Sequence, residues 1–166
     1  MSANSLEPWA NFFITAAGVS ATLAGLVIVA VSVNIQQILK YAQLPPRASG
    51  TVSTLMLVVA IGLVGLMPQS ATAFALEILV FSLIAGAILL VFTREICVEH
   101  LKAGRAVIEL VVGLVGWYCA ALAFVTAAVL IWTGLGNGFY WMAGGVIVTV
   151  IAAVLNAWVF LIEVLR

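Results

Sequence analysis

The chain is short of charge. Only 7% of its 166 residues are Asp, Glu, Lys or Arg, six basic and six acidic. A soluble domain carries about 25%. Twelve charges cannot coat a water-facing surface, so a globular protein in water is excluded. Aspartate is absent altogether, which removes any intramembrane aspartate pair. The one histidine, His100, rules out bis-His haem ligation within a chain and any His-rich metal site. Cys97 and His100 stand three apart without a CxxC or HxxxH partner, so no metal site is expected. Cys97 and Cys119 are predicted at different depths, which disfavours a disulfide and a quinone-linked thiol oxidase. GxSxG and HExxH are missing as well. No enzyme and no cofactor are expected, and the sparse basic residues, flanked by acids, disfavour nucleic-acid binding.

What the chain has is apolar length: 66% of it is hydrophobic. A bilayer core needs about 20 apolar residues per helical span. Five segments qualify, at about 9–39, 48–67, 71–93, 106–133 and 139–165. They are continuous rather than alternating, so helices are expected and barrel strands are not. Leu44-Pro45-Pro46-Arg47 is expected to break the chain after the first span. Pro68-Gln69-Ser70 is expected to close the second, with Ser70 capping the third. Gly134-Leu135-Gly136-Asn137-Gly138 suits the last turn. The first eight residues hold no Lys or Arg, so no cleavable signal is expected. The fold class is therefore an all-α integral membrane protein, a single five-helix transmembrane domain over residues 1–166.

Charge placement orients it. Lys40, Arg47, Arg94, Lys102, Arg105 and Arg166 all fall on one side of five spans, which the positive-inside rule makes cytoplasmic. The N-terminus is expected outside and the C-terminus inside, in the plasma (bacterial inner) membrane. Trp9, Phe12, Phe13, Phe74, Trp132, Phe139, Tyr140 and Trp141 gather at the outer ends and are expected to form an interfacial belt.

Small and polar residues form stripes. The first span carries Asn11, Thr15, Gly18, Thr22, Gly25, Val29, Ser32 and Gln36 at alternating spacings of four and three, which keep them on one helix face. The fourth carries Glu109, Gly113, Gly116, Ala120, Ala123, Ala127, Leu130 and Gly134. The fifth carries Gly145, Thr149, Ala152, Asn156, Val159 and Glu163. Such residues let helices approach closely in lipid, so Gly18, Gly25, Gly113, Gly116, Ala120 and Gly145 are candidates for packing seams. Asn11, Thr15, Thr22, Ser32 and Gln36 make the first stripe polar from end to end, so they are also candidates for lining an aqueous path. Five helices enclose little space, so such a path would lie on the axis of a homo-oligomer.

Ionisable and amide groups at membrane depth are the remaining candidates. Glu109 and Glu163 have Arg105 and Arg166 one turn away. Glu77 has no basic residue on its side and is a candidate ion or proton site. Asn156, expected near mid-bilayer, needs an amide partner and is a second candidate. Asn34, Gln36 and Gln37 are expected to cap the inner end of the first span.

The run Gly18-Val19-Ser20-Ala21-Thr22-Leu23-Ala24-Gly25-Leu26-Val27, continuing through Ser32-Val33-Asn34-Ile35 to Leu44-Pro45-Pro46-Arg47, resembles small multispan bacterial inner-membrane proteins over roughly the first third of the chain. That resemblance implies a membrane fold and carries no activity and no functional residue. Two functions fit the residues: a homo-oligomeric pore for ions or small solutes lined by the first span, or a non-transporting subunit or modulator whose seams bind a membrane partner.

Overall fold

The computed structural model describes residues 6–41, 44–102 and 107–161, side chains from 99 to 113 excepted. It is all-helical, with no strand among the described residues. A 3-10 turn, Glu7–Trp9, leads into α1 (Ala10–Val33) and the single turn α2 (Ile35–Ile38). α3 (Leu44–Gly65), α4 (Ala71–Lys102), α5 (Val107–Thr133) and α6 (Gly138–Leu161) follow. Among the described residues, five helices are long and apolar enough to cross a membrane: α1 with its leading turn, α3, α4 as far as Val98, α5 from Leu114, and α6.

Three boundaries differ from expectation, the first being the end of α4, which runs on to Lys102 instead of stopping near residue 93. α3 starts at Leu44, not after the Pro-Pro pair. The first four N–H groups of a helix have no intrahelical partner, so proline costs nothing in the first turn. Pro45 and Pro46 therefore begin the helix, and Arg47 joins its first turn. The first span is not continuous to residue 39. It breaks at Asn34 (φ −106°, ψ 17°), whose side chain leaves the helix to donate to the Phe160 carbonyl at 2.9 Å. Ser70 caps α4 as expected, accepting from the Ala73 N–H at 3.2 Å. Gly134 takes φ 72° at the end of α5, a conformation glycine adopts without strain.

The spans form a closed ring in which α1 touches α3 and α6, and α4 lies between α3 and α5. α3 also meets α6 across the ring. It is the most buried span, with 56% of its most apolar window covered against 33% in each of the others. Asn34, Arg47, Asn156 and Phe160 share one end of the bundle, here termed the basic end. Phe13, Phe74 and Phe139 share the other. These three are buried rather than interfacial: Phe74 contacts Phe13 edge-on at 5.4 Å and stacks on Phe139 at 6.2 Å. Phenylalanine has no polar tip to hold it at the water boundary. Trp132, Tyr140 and Trp141 of the same end are exposed.

Helices are held by backbone proximity, because lipid removes the hydrophobic drive between them. A Cβ on Gly62 would stand 2.9 Å from both the Ala17 Cβ and the Phe13 carbonyl, and one on Gly65 would lie 2.8 Å from the Phe13 ring. α5 and α6 meet in the same way: a Cβ on Gly116 would stand 2.9 Å from that of Ala152, and one on Gly145 3.2 Å from that of Ala123. Gly62→Leu is expected to destabilise the bundle by about 1–3 kcal/mol through overpacking, read as an earlier thermal unfolding in detergent. Gly86→Leu, where a Cβ meets nothing within 4 Å, is expected to leave unfolding unchanged.

Candidate functional site

α1 has two faces of the same 3.5-residue period. Phe13, Ala17, Ser20, Ala24, Val27, Asn34 and Ile38 point inward and are buried. The stripe of Asn11, Thr15, Gly18, Thr22, Gly25, Val29, Ser32 and Gln36, whose members other than Val29 each stand two positions before one of these, is exposed throughout. Two residues are about 200° of helix, so the small and polar stripe lies on the outside of the bundle. The Ala-rich face turns inward because it is the one that fits against Gly62 and Gly65. Gly18 and Gly25 therefore form no packing seam within the chain: a Cβ on either would meet nothing within 4 Å. Gly116, Ala120 and Gly145 do lie in the packed interior, at the α5–α6 contact for Gly116 and Gly145. Gly113 falls among the side chains outside the described residues, as do Glu109 and Glu163.

The stripe's hydroxyls are satisfied locally. Thr15, Thr22 and Ser32 each donate to the carbonyl four residues earlier, at 2.8 Å. Apolar rows border it, Ile14, Ile28 and Ile35 on one side and Val19, Leu26 and Val33 on the other, all exposed. Between Thr22 and Ser32 the stripe holds only Gly25 and Val29. That is about 15 Å of helix without a polar side chain.

The interior offers no alternative path at the levels filled by aromatic and branched side chains. Phe13, Phe74, Phe124, Met142 and Phe160 are almost wholly enclosed. Trp117 fills the space between α3, α4 and α5, where a Cβ on Gly50 would run into its indole. The Trp117 Nε1 and the hydroxyls of Ser20 and Ser82 are buried without a hydrogen-bond partner.

Asn156 lies at the level of the first turn of α3, nearer the basic end than mid-bilayer. Its carbonyl oxygen accepts from Arg47 Nε at 2.8 Å, and its amide donates to Thr51 Oγ1 at 2.9 Å. Thr51 Oγ1 donates in turn to the Arg47 carbonyl at 2.9 Å. Both ends of the amide are engaged, so Asn156 clamps α6 to α3. Arg47 and Thr51 were not sequence candidates. Their four-residue spacing places them on one face only once the helix is known to begin before Arg47.

Glu77 has a neutral partner. Gln69 Nε2 donates to Glu77 Oε2 at 2.8 Å and to the Val64 carbonyl at 2.7 Å. The carboxylate is half-buried and tied to the α3–α4 turn. Gln69 lay in an expected turn, and nothing in its spacing points to Glu77. At the basic end, Lys40 Nζ donates to Gln37 Oε1 at 2.8 Å, while Gln36 remains exposed. Among the described residues no three His, Cys, Asp or Glu side chains come together as a metal site.

No family of known proteins matches the chain, and no curated protein or solved structure is similar to it.

Asn156→Leu is expected to lower stability by about 1–2 kcal/mol, the upper range for an interhelical hydrogen bond in a membrane protein, read by thermal unfolding. Asn156→Gln, which keeps both amide functions, is expected to recover part of that loss.

Proposed function

We propose that the chain is a non-transporting membrane interaction protein, associating through the outward face of α1 with a second copy of itself and serving as a subunit or modulator of a larger membrane assembly. One observation carries this reading: the small-residue stripe faces away from the chain's own bundle along the length of α1. Open positions at Gly18 and Gly25 allow a neighbouring backbone to approach closely. The hydroxyls already have partners on their own helix, so burying them against another helix leaves no donor stranded. The apolar rows on either side would flank the contact. Small residues at a heptad spacing suit a left-handed, shallow crossing.

A homo-oligomeric pore for ions or small solutes is the second reading. It is favoured by the polar ends of the stripe, Asn11 and Thr15 at one end and Ser32 and Gln36 at the other. The apolar stretch of about 15 Å between them weighs against it, since a hydrophobic constriction sheds water. In either reading the basic end lies in the cytoplasm, with the N-terminus outside and the C-terminus inside. The resemblance of the first third supports a bacterial inner membrane.

Single cysteines placed at Thr22 or Gly25, with Cys97 and Cys119 replaced by Ser, are expected to cross-link two copies in native membranes. A cysteine at the exposed Leu83 of α4 is expected not to. Gly18→Leu with Gly25→Leu should abolish the cross-link without changing thermal unfolding. Absence of a cross-link at both α1 positions would defeat self-association, and stoichiometric co-purification of a different membrane protein would transfer the face to that partner. Liposomes bearing the protein are expected to stay tight to ions and small solutes. A flux that Thr22→Leu alters would establish the pore instead.

A further inference from the structure

A second outward feature lies away from the α1 stripe. α5 and α6 leave between them an open groove of about 760 Å³. Its walls are Cys119, Leu122 and Thr126 of α5 with Gly144 and Val148 of α6. Asn137, Tyr140 and Trp141 stand at its rim, at the end of the bundle opposite the basic end. The walls are apolar in effect, because the Thr126 hydroxyl already donates to the Leu122 carbonyl at 2.7 Å. Gly144 forms the hollow: a Cβ there would meet nothing within 4 Å.

We propose that this groove holds one acyl chain of a glycerophospholipid, whose ester region meets the Asn137 amide and the Tyr140 hydroxyl. Both helices are apolar spans, so only a lipid chain or another membrane helix can reach the groove. Its length separates the two. The lining residues run from Thr126 to Cys119 on α5 and from Tyr140 to Val148 on α6, so the groove covers about 11–12 Å of helix. That lies within one leaflet's share of a core about 30 Å thick. A seated transmembrane helix would continue to the basic end. There the seam is closed, with Gly116 against Ala152. A lipid chain enters at the interface and ends near the midplane. The rim supplies hydrogen-bond donors at the depth where ester and phosphate oxygens lie. No Lys or Arg lines the groove, so retention depends on the chain and ester region rather than on headgroup charge.

The test uses the full chain reconstituted in phosphatidylcholine vesicles, extracted in mild detergent and weighed by native mass spectrometry. One phosphatidylcholine per chain is expected for the wild type and for Gly86→Phe, which adds the same ring at another open glycine. Gly144→Phe is expected to retain about tenfold less, equivalent to about 1.4 kcal/mol. Equal retention by Gly144→Phe would overturn the proposal, as would a lipid-free dimer with the groove covered by a second copy. A measurement on the unfilled groove guards against misfolding of that variant. In a Cys97→Ser chain, Cys119 is expected to react with a maleimide about tenfold more slowly once phosphatidylcholine is returned to delipidated protein. An unchanged rate would equally overturn it.

Discussion

The contact between α1 and the glycine edge of α3 governs the rest of the molecule. In hydrocarbon, helices do not gain by hiding apolar surface from one another, so they associate where their backbones can come closest. Gly62 and Gly65 give α3 a flat edge, and Phe13 with Ala17 lies against it. A helix pressed to such an edge cannot rotate. Once Phe13 and Ala17 face inward, the positions about 200° around the axis face outward. The direction of the small and polar stripe is thus decided by packing on the opposite side of the same helix. The buried aromatic stack of Phe13, Phe74 and Phe139 extends this constraint to α4 and α6.

The polar groups divide into two classes with different roles. Inside, the amides and the guanidinium are engaged, Arg47, Asn156 and Thr51 at the basic end and Asn34 with the Phe160 carbonyl, while the weaker polar groups of Ser20, Ser82 and Trp117 are buried without a partner. Those outside on α1 are hydroxyls folded back on their own helix, with amides at the two ends. A buried polar group in lipid has no water to fall back on, so an inward amide or guanidinium, with the most to lose, is the one held by partners. An outward hydroxyl bonded to its own carbonyl can meet either lipid or protein. This explains how a helix can show polar residues from end to end while its bundle stays closed.

Much of the fold was legible in the sequence, because a bilayer sets the length of a span and hydropathy reports it directly. The five spans, the Ser70 cap and the final glycine turn all rest on local chemistry. So do the α5 and α6 seam residues Gly116 and Gly145. What local chemistry could not show was which of two stripes on α1 turns inward. Both repeat every 3.5 residues and both are rich in small side chains, so periodicity alone does not separate them. The decision comes from Gly62 and Gly65 on another helix. The two polar pairings were hidden for a related reason. Arg47 meets Asn156, 109 residues away, and Gln69 reaches Glu77 only because the chain turns tightly at Pro68. A Pro-Pro pair reads equally well as the end of one element or the first turn of the next.

The interior clamps also bear on how the chain is assembled. Asn34 and Arg47 belong to the first two membrane crossings, yet the Phe160 and Asn156 groups that engage them lie on the last. During synthesis these early polar side chains enter the membrane before α6 exists. They must hold to lipid headgroups or water at the basic end until the final crossing arrives. The ring of helices is therefore closed late, by its most distant segment. A chain that stops after α5 would leave Arg47 and Asn34 of its early crossings without the Asn156 and Phe160 groups that engage them, on a bundle whose α1 and α3 flanks are uncovered.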